Sequence, residues 1–396
     1  MISHVDSGAA AQISQVRICA AYARRNSRYY SKALAGIDIE GADAEVLMDL
    51  LPFTDPGAVA ASPEDFLCVP AKDVAGIITL PTSGTTASPK RIFFTESDIG
   101  RTVDFFSRGM KPIIGNARKA AIALPGESPH GVASLLSAAL EAGGVKTVRP
   151  VSYDSLDPGA LGGCGCFVGA PVPLMKLSRA CPGLRPQSAL LSTDYVPRAV
   201  AERIRETWRC AVYSHYGLTE TGFGCAVQCH ERKEHHIRHS EMLLEIVDPL
   251  SGARLPQGEE GEIVITTFAA EAMPLIRYRT GDTGSLTDTR CACGGRFSRL
   301  TNLKGRYANP AAHPFSLNEI DEIMFSDRTV WDYSAALKRT ERRLMIKVES
   351  DGGMREQTER ALTLFCSAKG YEAVFFNGKI DTDLNGRNKR RITSAE

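Results

Sequence analysis

Short apolar runs alternate with amphipathic stretches along the first half of the chain. Residues 76–80 (GIITL), 91–94 (RIFF), 120–124, 145–151, 166–169, 188–192 and 211–214 are apolar runs of strand length. Between them, Ile99, Val103, Phe106 and Met110 recur at helical spacing, one buried stripe of an amphipathic helix. That helix follows Thr95-Glu-Ser-Asp98, an approximate capping box. Residues 132–141 and 172–180 also read as helices. Pro197 sits where a helix starts, and Val200, Ile204 and Trp208 mark its inner face. Strands alternating with helices predict βαβ units and a mainly parallel sheet. Ligands bind such sheets beyond the carboxyl ends of the strands.

The pattern changes after residue 240. Segments 242–247, 262–267, 274–279 and 283–287 read as strands joined by turn-rich connections, a β-rich subdomain. Residues 317–325, 331–337, 343–348, 355–368 and 373–376 read as αββαβ. The expected fold is therefore α/β: a large N-terminal domain over 1–305, with a helix-flanked, mainly parallel sheet plus the β-rich part, and a small mobile α+β domain over 306–396. Residues 15–32 and 44–51 have helical spacing and are expected to form a lid or support region.

Composition narrows the function. The chain has 396 residues, 43% hydrophobic and 23% charged, with net charge +1. No charge field selects nucleic acid or a membrane surface. No apolar run reaches membrane-spanning length, and the first residues do not read as a secretory signal. Eleven cysteines, an odd number, suit reduced thiols in the cytoplasm. A homodimer is compatible with the sequence.

The stretch with most chemistry is 81–90, PTSGTTASPK. Small residues let backbone approach a ligand, successive N–H groups form an anion-binding concavity, and the hydroxyls of Thr82, Ser83, Thr85 and Thr86 add donors around Gly84. Lys90 adds charge. The stretch suits nucleotide phosphates, yet it lacks the Walker pattern and joins strand to strand.

This stretch resembles the phosphate loop of the adenylate-forming enzymes, with Ala87 where that family usually has glycine. Residues 214–220 (SHYGLTE) resemble a second family motif. The resemblance implies that Tyr216 stacks on adenine beside Gly217, Thr219 bonds phosphate and Glu220 holds Mg²⁺. Such helpers offset the repulsion when a carboxylate attacks ATP. Residues 278–282 (YRTGD) are similar to a third motif, whose aspartate, here Asp282, takes the ribose hydroxyls. Arg306 matches an arginine that reaches the nucleotide. Thr193 and Asp194 stand where the family has an adenine-contacting turn.

The likeness is strongest to the phenylacetate-CoA ligase group, through MPLIRYRTGD and the C-x-C-G at 291–294. That group implies ATP or AMP, Mg²⁺ and CoA as cofactors and an aryl or acyl carboxylic acid as substrate. It also suggests structural zinc on Cys229, His236, Cys291 and Cys293, with Cys225, His230, His235 and His239 crowding the same loop. Cys164 and Cys166 read instead as buried thiols, and His130 could border the acyl pocket.

Two features depart from the family. Arg387 stands where a C-terminal lysine is usual, with Lys389 two residues on, and arginine is not equivalent to lysine. The acidic hinge residue after Gly-Arg is replaced by Tyr-Ala-Asn. An amine acceptor, or nucleotide binding without turnover, therefore remain as alternatives to CoA ligation.

Overall fold

The computed structural model describes residues 7–80, 90–126, 128–150, 152–153, 156–306, 314–384 and 390–395. They form two compact units, the first made of Met1–Gly109, Ser128–Ala139 and His215–Leu303, the second of Met110–Glu127, Leu140–Ser214 and Lys304–Glu396.

In the first unit, helices Ser7–Asn26, Arg28–Ala33, Ala44–Leu50 and Pro56–Ala61 lead into an antiparallel hairpin, Gly76–Leu80 with Lys90–Phe94. The expected helix at 15–32 is divided, because the Ser27 hydroxyl accepts the N–H of Tyr30 and starts a new helix. These helices are support: Val16, Leu34, Leu47, Phe66 and Ile276 share one buried core. The β-rich part is antiparallel, with strands ordered Leu243–Val247, Gly261–Thr266, Tyr278–Thr287, Arg299–Arg306, His235–Ile237 and Ala226–Gln228. Segments 274–279 and 283–287 are not two strands. The first residues turn, and Tyr278–Thr287 runs as one strand with positive φ at Gly281 and a register shift opposite Glu262–Val264.

In the second unit, Lys146–Val148, Lys119–Ala123, Cys166–Gly169, Ser188–Leu191 and the start of Ala211–Tyr216 pair in parallel in that order. Cys166–Gly169 and Ser188–Leu191 are buried throughout, as strands covered on both faces must be. Cys164 and Cys166 are buried thiols, and burial pushes Cys166 up to about 12. The C-terminal residues form a four-stranded sheet, ordered Glu372–Asn377, Arg343–Ser350, Val330–Lys338 and Ile392–Ala395, with helices Leu317–Ser326 and Glu356–Ala368.

The same unit joins that sheet to helices Pro171–Ala180 and Arg198–Trp208 through buried charge. Arg203 donates to Val330 O and Phe325 O, both at 2.6 Å, and to Asp327 O, closing the end of helix Leu317–Ser326. Lys176 Nζ donates to Glu349 at 3.0 Å and to Thr382 at 2.7 Å. Among the described residues, no helix is long and apolar enough to cross a membrane.

Candidate nucleotide and metal sites

Three distant segments of the first unit meet at Lys90. Its Nζ donates to Glu220 Oε1 at 2.6 Å and to the Tyr278 hydroxyl at 2.7 Å, while that hydroxyl donates to the same Oε1 at 2.8 Å. Lys90 begins the second strand of the hairpin, Glu220 lies in the 3₁₀ turn Thr219–Thr221, and Tyr278 opens strand Tyr278–Thr287. The side chains of Lys90 and Glu220 are only 14% and 7% exposed, so little solvent screens the pair. Burial pushes the Glu220 carboxyl up, but the Lys90 charge and the bonds from Lys90 and Tyr278 outweigh it and bring it below its ordinary value. Glu220 is thus held as a carboxylate.

A second pair joins two of the motifs. The Tyr216 hydroxyl donates to Asp282 Oδ2 at 3.0 Å. Burial and the Asp282 carboxylate push the Tyr216 phenol well above its ordinary value, so it donates as a neutral phenol. Asp282 is aimed by its strand: its N–H donates to Thr280 Oγ1 at 3.0 Å, and the Thr280 hydroxyl donates to Ile263 O at 2.7 Å. Gly217, between Tyr216 and the 3₁₀ turn, has no room for a side chain. A Cβ there would lie 2.3 Å from Phe223 O and 2.6 Å from the His215 ring.

The structure therefore brings together Lys90, Tyr216, Gly217, Thr219, Glu220 and Asp282 in one unit. Thr193, Asp194 and Arg306 belong to the other. Thr193 has φ 75° and donates its hydroxyl to Ser192 O at 2.6 Å. Arg306 ends strand Arg299–Arg306. Thr82, Ser83, Gly84, Thr85, Thr86, Arg387 and Lys389 lie outside the described residues. His130 packs over Gly76 at the start of the hairpin, where an added Cβ would come within 3.1 Å of its ring. Tyr278 is the residue that motif reading left without a role. Its signal was the alternation in YRTG, which turns Tyr278 and Thr280 inward and Arg279 and Gly281 outward.

Cys229, His236, Cys291 and Cys293 converge, with their ligand atoms all within 4.8 Å of one another. Cys229 Sγ lies 3.8 Å from Cys291 Sγ, and Cys293 Sγ 3.5 Å from His236 Nε2. The Gly295 N–H donates to Cys293 Sγ at 3.4 Å, which supports a thiolate. The pairing of Arg299 and Leu300 with His236 and His235 brings the C-x-C loop to the histidine strand. Three sulfurs and one imidazole at these separations can hold a metal ion.

The lysine–carboxylate pair and the tyrosine–aspartate pair fall in the three motifs that resemble those of the adenylate-forming enzymes. Residues 31–269, more than half of the chain, match the AMP-binding enzyme family, and the chain belongs to it. It is 28% identical over 312 residues to the phenylacetate-coenzyme A ligase of Thermus thermophilus, covering 75% of this chain and 70% of that protein. It is 25% identical over 318 residues to the Escherichia coli phenylacetate-coenzyme A ligase, covering 76% and 72%. A solved 2-hydroxyisobutyryl-CoA ligase in the postadenylation state shares the fold with TM-score 0.76 at 17% identity, over 97% of this chain and 89% of that one.

Proposed function

We propose that the protein activates an aryl or acyl carboxylic acid with ATP and passes it to CoA. A carboxylate oxygen attacks the α-phosphorus, forming acyl-AMP as the bond to the β-phosphate oxygen breaks and pyrophosphate leaves. The CoA thiol then attacks the acyl carbonyl, gives up its proton, and AMP leaves as the thioester forms. Family membership and the phenylacetate-coenzyme A ligase relatives support both steps. The observation that carries the reading is the 3.0 Å bond from Tyr216 to Asp282, since it sets an aromatic face beside a carboxylate able to accept both ribose hydroxyls.

On this reading Asp282 takes the ribose, and Tyr216, Gly217, Thr193 and Asp194 border the adenine. Thr82, Ser83, Gly84, Thr85, Thr86 and Thr219 donate to phosphate, and Lys90 offsets its charge. Glu220 would hold Mg²⁺, which supplies charge neutralisation when bound. Arg306, and either Arg387 or Lys389, would approach the nucleotide from the small domain, 306–396. That domain would move between the two steps, releasing the anchors at Lys176 and Arg203.

The Cys–His cluster suits zinc. Tetrahedral zinc with bonds of about 2.3 Å to sulfur and about 2.0 Å to nitrogen spaces two sulfurs by about 3.8 Å and a sulfur and a nitrogen by about 3.5 Å. Cys229–Cys291 and Cys293–His236 match at 3.8 and 3.5 Å, and all four ligand atoms lie within 4.8 Å of one another. All four positions are protein ligands, so this zinc would be structural. Eleven free cysteines support a reducing, cytoplasmic setting.

The test is pyrophosphate release and product analysis with a panel of aryl and acyl acids, with and without CoA. CoA-dependent thioester formation is expected. Acid-dependent pyrophosphate exchange without thioester would move the assignment to an amine acceptor. ATP binding with neither reaction would overturn the assignment.

A further inference from the structure

Both side-chain bonds to Glu220 converge on one oxygen. Lys90 and Tyr278 each donate to Oε1, at 2.6 and 2.8 Å, so neither engages Oε2. Two of the three Lys90 N–H donors already go to Glu220 and Tyr278, so a triphosphate that draws the ammonium towards itself weakens its hold on the carboxylate. A carboxylate released in this way rotates unless a second donor keeps hold of it. The Tyr278 hydroxyl is already in place as that donor.

The residue before Tyr278 is built to fix it. Arg277 has φ 45°, a left-handed conformation uncommon outside glycine. Its guanidinium forks onto Glu245, from Nε and Nη2 at 3.1 Å each, and its Nη1 donates to Leu51 O at 3.0 Å. The same group lies 4.1 Å from the centre of the Phe53 ring. Its backbone is pinned as well, since its N–H donates to Thr266 Oγ1 at 3.0 Å and its carbonyl accepts the Thr54 N–H at 3.0 Å. Thr54 is itself held by Tyr30, whose hydroxyl lies 2.9 Å from Thr54 Oγ1 and accepts the Ile276 N–H at 2.9 Å. The side chains of Arg277 and Glu245 are 5% and 7% exposed, so this ion pair is walled off from any ligand. Its bonds stay within the protein, to Glu245 and Leu51 O, and fix the Arg277 backbone that leads directly into Tyr278.

We propose that Tyr278 is a positioning residue for the divalent cation of the ligase reaction, holding Glu220 by Oε1 so that Oε2 is presented to the metal, and that the buried Arg277–Glu245 pair sets Tyr278 for this task. The proposal rests on the functional reading above. It adds a role for the N-terminal segment, which supplies Tyr30 from helix Arg28–Ala33 and Leu51, Phe53 and Thr54 from the connection after helix Ala44–Leu50.

The experiment is equilibrium ATP binding titrated against Mg²⁺, with Mn²⁺ as a paramagnetic probe, in the parent and in Tyr278→Phe. The substitution keeps the ring and removes only the hydroxyl. The metal constant is expected to weaken by about tenfold more than the metal-free AMP constant, the effect of losing one hydrogen bond to a charged group. Arg277→Lys, which keeps the charge but loses the fork, should shift the metal constant in the same direction and add little to Tyr278→Phe in the double variant. Glu245→Gln repeats that cycle from the other side of the pair. Equal metal constants in the parent and Tyr278→Phe would overturn the proposal. Full additivity in both cycles would overturn the part assigned to Arg277 and Glu245. Absence of metal-dependent ATP binding in the parent would instead overturn the ligase reading itself.

Discussion

Acid should loosen the first unit through His215. This histidine sits on strand Ala211–Tyr216 opposite Val227, just before the Tyr216 and Gly217 pair. Burial lowers its pKa from 6.5 to about 4. His235 is likewise lowered to about 4, by burial and by His215. For a base with a depressed folded-state pKa, the unfolded chain binds the proton first. No penalty exists above the unfolded value; it grows as pH falls from 6.5 towards 4, then stays constant. Two-site linkage for His215 alone puts the loss between pH 7 and pH 5 at about 1.8 kcal/mol, approaching about 3.4 kcal/mol below both values. Urea unfolding of the parent and of His215→Asn at the two pH values reads this contribution together with its coupling to His235, while uncoupled titrations and any fixed cost of the substitution cancel. The parent should lose about 2 kcal/mol more than the variant between the two pH values. Parallel losses in the two proteins would refute the reasoning, as would an NMR titration midpoint for His215 at or above 6.

Three further outcomes follow from separate features. Cys291→Ser should abolish stoichiometric zinc measured by mass spectrometry and lower the melting temperature, whereas Cys166→Ser should leave zinc content unchanged. Gly217→Ala should abolish AMP binding in calorimetry, because the Phe223 carbonyl stands 2.3 Å from the added carbon and cannot yield as a flexible side chain would. Arg203→Ala should destabilise the second unit by about 3–5 kcal/mol in denaturant titration, since it leaves three carbonyl partners without their donor.

Much of this architecture was legible because its signals are local. Cys166–Gly169 and Ser188–Leu191 are continuous apolar runs, and burial on both faces is what such runs require. Ala226–Gln228 and His235–Ile237 escaped the reading because strands of three residues carry too few positions to show a period. Arg299–Arg306 alternates buried and exposed only in part, and its lysine and arginines disguise a strand set among its neighbours. Ile392–Ala395 was missed for a related reason: it follows a basic stretch and is recognisable only by its partner, Val330–Lys338.

The site divides along the same line. Contiguous motifs exposed Lys90, Tyr216, Glu220 and Asp282, because close backbone approach and charge must be encoded in adjacent residues. The bonds among them were not legible, since Lys90 and Tyr278 are separated by 188 positions and meet only through tertiary packing. The Cys–His quartet was readable as a candidate. The structure brings those four together and keeps Cys225 and His239 apart from them, because Cys225 is buried in an apolar cluster and His239 Nε2 lies 2.7 Å from Ser298 O.

The central claim is that a nucleotide lies with its ribose on Asp282. Calorimetric titration of ATP and AMP into the parent and into Asp282→Ala tests it most directly. The account predicts binding by the parent and a loss of at least about tenfold in affinity for both nucleotides in the variant, the cost of a carboxylate that accepts two hydroxyls. Equal affinities in the two proteins, or no nucleotide binding by the parent, would contradict it.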